Sequence, residues 1–257
     1  MPVSDPGRRA VLAGLAGLPL SVVLADPLLA QAVAEKTETV TIDTIGGRSV
    51  TGALAKPDRR PAPAVVLVHE WWGLNDQIKT MAVEFARQGY LALAVDLFQG
   101  RVTTDPDVAK QLTQAVKPDE ADDTLASWLA WAKNHQDSSR KTATCGWCFG
   151  GGWSLNASVA TPVDATIVYY GRVDLPVEKL KRLKGPVLGH FGRQDQFITP
   201  AVVETFEANM KAAGKPYTAF WYDAPHAFAN PTGANYHRED AQLAWKRTLD
   251  FLKKELV

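Results

Sequence analysis

The sequence predicts an α/β fold: a single domain with a mostly parallel sheet, helices on both faces and an N-terminal antiparallel hairpin. Three observations predict it. Short apolar runs recur between helical stretches, the mark of strands buried on both faces. Two alternating segments flank a Gly-Gly turn near the start, which reads as a hairpin. No repeat, low-complexity segment or linker interrupts residues 36–257, so strand and helix alternate within one unit. With 257 residues, 46% hydrophobic and 22% charged, the chain is long enough for one sizeable core.

The elements follow in order. Thr39–Thr44 alternates polar and apolar residues, Gly46-Gly47 turns, and Ser49–Ala55 returns as the second hairpin strand. Ala64–His69 is the first continuous apolar strand. Asp76–Gln88 spaces Ile78, Met81, Ala82, Phe85 and Ala86 as one helical face, and Gly89 ends it. Tyr90–Val95 is the next strand. A polar loop then leads into helical segments reaching about Asn134. Thr142–Gly146 is a strand feeding a helix of small residues, Gly150–Ala160. Ala165–Tyr170 and Pro186–Phe191 are strands, with a charged helical stretch around Glu178–Leu183 between them. Thr199-Pro200 opens a helix that runs to Ala213 and stops at Gly214. Tyr217–Tyr222 is the last strand, and Arg238–Glu255 closes the chain as an amphipathic helix.

The first 34 residues differ in kind. Arg8-Arg9 precedes the apolar run AVLAGLAGLPLSVVLA, which stops at Asp26. Ala30-Gln31-Ala32 and Ala32-Val33-Ala34 then offer small residues at cleavage-site spacing. This is the layout of a signal peptide over residues 1–34, and the paired arginines favour the twin-arginine route. The run is shorter than a membrane span and Pro19 interrupts it. The expectation is a domain of residues 35–257, periplasmic or secreted, monomeric and without a stable membrane anchor.

Twenty-eight basic residues balance twenty-eight acidic ones, so no net field favours nucleic acid or an anionic membrane. Chemistry concentrates instead at the strand ends, where such sheets bind ligands. His69-Glu70-Trp71-Trp72 follows the first long strand, Asp96 the next and Cys148 the third. Asp195 and His226 each lie four residues past a later strand. The order Cys148, Asp195, His226 is nucleophile, acid, base, with separations of 47 and 31 residues, as in α/β-hydrolase triads. A thiol needs a base to become a thiolate, and the base needs a carboxylate on its other nitrogen. Taken singly, Cys148 could be a buried small hydrophobe, Asp195 a turn acid and His226 a loop histidine. Their joint order and placement favour catalysis. Glycines around Gly146-Trp147-Cys148-Phe149-Gly150 permit a sharp strand-to-helix turn, and the N–H groups of Trp71 and Phe149 are the candidate oxyanion donors. Trp72 and Trp147, with Trp71, are candidates for lining a pocket. His69 and His190 read as packing residues.

With these motifs in place, the sequence resembles the dienelactone hydrolase (carboxymethylenebutenolidase) family of α/β-hydrolases over about residues 36–257. VLVHEWWGLN, VDLFQGR, GWCFGGG, GRQDQF and PHAF carry the likeness. The resemblance implies a cysteine nucleophile, an ester or lactone as small-molecule substrate and no cofactor or metal. It also implies that Glu70 approaches the thiol and helps form the thiolate. The family's lactone hydrolase holds a substrate carboxylate with two arginines. Arg101 stands one residue from the first position, and Asn230 occupies the second.

Cys145-Gly-Trp-Cys148 also reads as C-x-x-C, so a periplasmic thiol–disulfide oxidoreductase is the rival. Three extended residues would part the two Cα atoms by about 10 Å, beyond disulfide reach. Cys145 is then a strand residue. One C-x-x-C without a second pair, and H-E-W-W-G in place of H-E-x-x-H, give no zinc site. A non-catalytic binder that kept the pocket is the third reading.

Overall fold

A computed structural model describes residues 20–257; Arg8-Arg9 and the start of the apolar run lie outside the described residues. Two short helices, α1 (Leu20–Ala25) and α2 (Pro27–Ala34), precede the sheet. The expected hairpin is β1 (Glu38–Asp43) with β2 (Ser49–Ala55), antiparallel in register from Glu38 opposite Leu54 to Asp43 opposite Ser49. Its turn uses Gly47 at φ +79°, a conformation costly to any residue with a Cβ.

Beyond the hairpin come β3 (Ala62–Val68), β4 (Leu91–Val95), β5 (Ser138–Trp147), β6 (Ala165–Tyr169), β7 (Val187–Gly192) and β8 (Tyr217–Tyr222). The order across the sheet is β1-β2-β4-β3-β5-β6-β7-β8. β2 pairs antiparallel with β4, and every later pairing is parallel. β3 has β4 on one side and β5 on the other, so the winding reverses there. Loops leaving β3 and β5 therefore diverge and open a crevice beyond the carboxyl ends.

The helices are α3 (Asp76–Arg87), α4 (Pro106–Ala115), α5 (Pro118–Asn134), α6 (Phe149–Ala160), α7 (Val177–Leu180), α8 (Pro200–Ala212) and α9 (Arg238–Leu256). The helical stretch up to Asn134 is two helices, because Pro118 restarts the chain after Val116 adopts an extended conformation. The charged stretch near Glu178 yields a single turn, bracketed by Pro176 and Gly185-Pro186. Asn75 caps α3 by accepting from the Ile78 N–H at 3.2 Å.

β3 shows why its apolar run is continuous. Val65 and Leu67 join the core under α3 and α9, which includes Ile78, Phe85 and Leu252. Val66 and Val68 face the other side, among Leu125 and Trp128 of α5. Burying each such side chain contributes about 1.5–3 kcal/mol. Helix α6 comes closer to the sheet than larger side chains would allow. Ser154 Oγ donates to the Ile167 carbonyl at 2.9 Å, and Thr144 and Ser158 hydroxyls meet at 2.8 Å.

Candidate active site

Cys148 stands between the end of β5 and the first residue of α6, at φ +53° and ψ −117°. This strained, non-glycine conformation is the elbow that its motif predicts. Close packing enforces it. A Cβ on Gly146 would lie 2.0 Å from the Gly150 carbonyl oxygen, and one on Gly150 would lie 2.2 Å from that of Val68. The Cys148 N–H donates to the Tyr169 carbonyl at 3.0 Å, fixing the elbow on β6. Phe149 is the first helical residue, so its N–H has no acceptor within the helix and the thiol sits at the positive end of α6.

Asp195 follows β7 and is almost wholly buried. Its Oδ1 accepts from the Phe197 and Ile198 N–H groups at 2.8 and 2.9 Å, which aims Oδ2 at His226 Nδ1, 2.7 Å away. The Cys148 thiol also acts on this imidazole, through a side-chain hydrogen bond and its charge. Burial pulls the His226 pKa down, but the bonds and charges of Asp195 and Cys148 outweigh it and raise it to about 10. The order read from the sequence is thus a connected line: carboxylate, imidazole, sulfur.

Glu70 is buried, not solvent-facing. Its Oε2 accepts from Asn230 Nδ2, and Tyr170 donates its hydroxyl to Oε1 at 3.4 Å. Burial raises its pKa to about 7, against the lowering effects of His226, Asn230 and Tyr170. Tyr170 sits at φ +37° just past β6, and its ring packs edge-on to His226 at 5.2 Å. Among the described residues, three of the five non-glycine residues at positive φ, Cys148, Tyr170 and Ala227, belong to this cluster. Backbone strain therefore concentrates where the reactive groups meet.

Trp147 and Arg101, both expected at the site, lie elsewhere. Trp147 is a β5 core residue stacked on Tyr169 at 5.5 Å, a correction to its place in a pocket lining. Its side chain is directed by strand alternation into the sheet's packed face. Arg101 is exposed, its Nε donates to the Phe98 carbonyl at 3.3 Å, and it lines a cavity with Arg48, Leu112 and Lys117. That cavity includes neither Cys148 nor His226. Trp71 and Trp72 pack on each other at 4.7 Å on the loop after β3, and the Trp72 carbonyl accepts from Thr103. Asp96 folds back on its own loop, accepting from the N–H groups of Phe98 and Gly100. Cys145 is buried in β5, and both cysteines are free thiols.

His69 packs as expected and also orders the loop. The Leu97 N–H donates to Nε2 at 3.1 Å, so Nδ1 carries the proton and donates to the Glu70 carbonyl at 2.6 Å.

The model of the dienelactone hydrolase family matches residues 50–256. The chain belongs to the dienelactone hydrolase family. It is 29% identical over 227 residues to a carboxymethylenebutenolidase of Pseudomonas putida, covering 84% of this chain and 96% of that one. A carboxymethylenebutenolidase of Pseudomonas sp. strain P51 is 27% identical over 232 residues, with 85% and 95% covered. A solved dienelactone hydrolase-like promiscuous phosphotriesterase from metagenomic libraries superposes with a TM-score of 0.78. It is 19% identical, covers 86% of this chain and 100% of its own, and speaks to the fold alone. Membership makes this dienelactone hydrolase homologue an ester or lactone hydrolase, and the comparisons give the oxidoreductase rival no support.

Family membership leaves several site residues that the sequence reading had not singled out. Tyr170 lies just past β6, in the same strand-end position as Cys148, but its contact with Glu70 spans 100 residues of sequence. Phe197, 77% exposed, holds its ring 5.3 Å from His226 at the rim of the site. Asn230 was named only for the charge it lacks, yet it is the donor that holds Glu70. No group of His, Cys, Asp or Glu among the described residues is arranged to hold a metal, and no described helix is long and apolar enough to cross a membrane.

Proposed function

We propose that the protein hydrolyses an ester or lactone through Cys148, with His226 as the proton carrier and Asp195 as its anchor. The observation that carries this reading is the line from Asp195 Oδ2 to His226 Nδ1, 2.7 Å, and on to a thiol on a strained elbow. The Cys148 sulfur, as thiolate beside imidazolium, attacks the carbonyl carbon and the C=O electron pair moves onto oxygen. The N–H groups of Trp71 and Phe149 receive that oxyanion. Collapse breaks the acyl carbon–oxygen bond, and His226 protonates the leaving oxygen. Neutral His226 then takes a proton from water, whose oxygen attacks the thioester and releases the carboxylic acid and the thiolate. Before the sulfur attacks, with His226 already holding its proton, Glu70 accepts the Cys148 thiol proton, and it returns the proton once the thiolate is released.

The substrate's acyl part is uncharged in this reading. Asn230 is neutral, its Nδ2 donating to Glu70 and its Oδ1 accepting from the Thr232 N–H at 2.9 Å and hydroxyl at 2.7 Å. It offers no charged fork to a carboxylate, and Arg101 turns to a separate cavity. The test is a panel of matched esters and lactones, with and without a free carboxylate. Cys148→Ala and His226→Ala are each expected to lose aryl-ester turnover by about 10⁴-fold or more while the fold persists. Full activity in either variant contradicts the assignment, and faster turnover of the charged partners contradicts the substrate class.

A further inference from the structure

We propose that the leader ends at Ala25 and that helix α2 remains as part of the mature enzyme; this rests on the export reading of the N-terminus. The small-residue sites at Ala32 and Ala34 fall inside α2, whose Ala30, Val33 and Ala34 are buried against the domain. Val33 belongs to the same apolar core as Ile78 and Phe85 of α3, with Leu29 and Ala32 packed against it. The helix is also bonded in place. Thr80 of α3, itself buried, donates its hydroxyl to the Ala30 carbonyl at 2.9 Å. Thr37 donates to the Ala34 carbonyl at 2.7 Å, closing the helix end.

The start of α2 is built as a start. Asp26 is extended, at φ −111° and ψ 115°, and its carboxylate accepts from the Leu28 and Leu29 N–H groups at 2.9 and 3.3 Å. Pro27 takes the first helical position, where its missing N–H costs nothing. Just before this break lies Val23-Leu24-Ala25, a small-residue exit of the same type as the two further on. Asp26, Pro27 and Leu28 are exposed. A chain exported already folded presents this exposed bend to a peptidase, whereas the bond after Ala32 lies within a docked helix and a cut after Ala34 would remove a helix bonded to α3. Val23 and Leu24 of α1 reach the same core, but α1 leans chiefly on α2, whereas α2 lies along α3. A cut at Ala25 removes the outer helix and leaves the inner one capped.

Two measurements test this. The full chain is produced in a bacterium with twin-arginine transport, and the intact mass of the recovered periplasmic protein is measured. The expected mass is that of a chain beginning at Asp26; a start at Val33 or Glu35, or a chain left uncut, overturns the proposal. In parallel, chains beginning at Asp26 and at Glu35 are made directly and melted, with and without Thr80→Val. The Asp26 chain is expected to melt higher by at least about 5 °C, on the scale of 2–4 °C per kcal/mol for a domain of this size. Thr80→Val is expected to lower its melting point and to leave the Glu35 chain unmoved. Equal melting of the two chains overturns the proposal. Aryl-ester turnover of the Asp26 chain is followed alongside, so a failure of the hydrolase reading is seen separately.

Discussion

Two imidazoles of this sheet are both largely buried, yet their proton affinities move in opposite directions. His190, inside β7, meets only hydroxyls: Tyr222 at Nδ1, 2.8 Å, and Thr248 at Nε2, 3.0 Å. Desolvation, helped by Arg247, drives its pKa down to about 3, so it is a neutral packing group. His226, just past β8, suffers the same desolvation but faces Asp195 and Cys148, and it rises to about 10. What separates the two histidines here is the partner's charge, not depth. The Thr248 hydroxyl also meets Tyr169 at 2.6 Å, so the His190 network ties α9 to the sheet.

The sharpest way to break the contrast is to make the two histidines alike. Asp195→Asn replaces the carboxylate with an amide and is expected to lower kcat by on the order of 10³–10⁴. The His226 titration, followed by NMR, should fall toward ordinary histidine values; an unmoved titration contradicts the account. Glu70 gives the next largest effect, on stability. Its folded pKa, about 7, lies above the ordinary carboxylate value of 4.5, so its contribution is fully present below 4.5 and is lost as pH rises to 7. Glu70→Gln is expected to flatten that decline, gaining up to about 3 kcal/mol at pH 8 in urea titrations. An identical pH dependence in both proteins would remove the raised pKa from the argument.

On the structural side of the comparison, Thr248→Val strips partners from His190 and Tyr169. It is expected to cost about 1–2 kcal/mol of stability while kcat stays within about twofold. A large fall in kcat at unchanged stability would show that the network serves the reaction. Asn230→Ala removes a bond that favours ionised Glu70, so the pH-rate inflection belonging to Glu70 should move to higher pH; a move to lower pH contradicts the assigned contact. The smallest expected effect is from Arg101→Ala, less than about twofold in kcat/KM on neutral and anionic esters alike.

Strand-end residues were legible in the sequence because the sheet places them by rule. Cys148, Asp195, His226 and Glu70 follow short apolar runs, and the fold then brings them together. Trp147 shows the limit. One residue before the elbow, strand alternation sends its ring into the core, and its residue type says nothing of that direction. Arg101 shows another: loop geometry after β4, where Asp96 binds Phe98 and Gly100, decides where its side chain goes. Tyr170 and Asn230 escaped because their parts are contacts across distant segments, 100 and 160 residues from Glu70.

The most direct test of the central claim is acid quenching during turnover of an aryl ester, followed by mass mapping of the peptide that holds both cysteines. An acyl group on Cys148, absent from Cys145 and absent altogether from Cys148→Ala, is the predicted result. An acyl group on another residue, or undiminished turnover with Cys148 replaced, would contradict the mechanism.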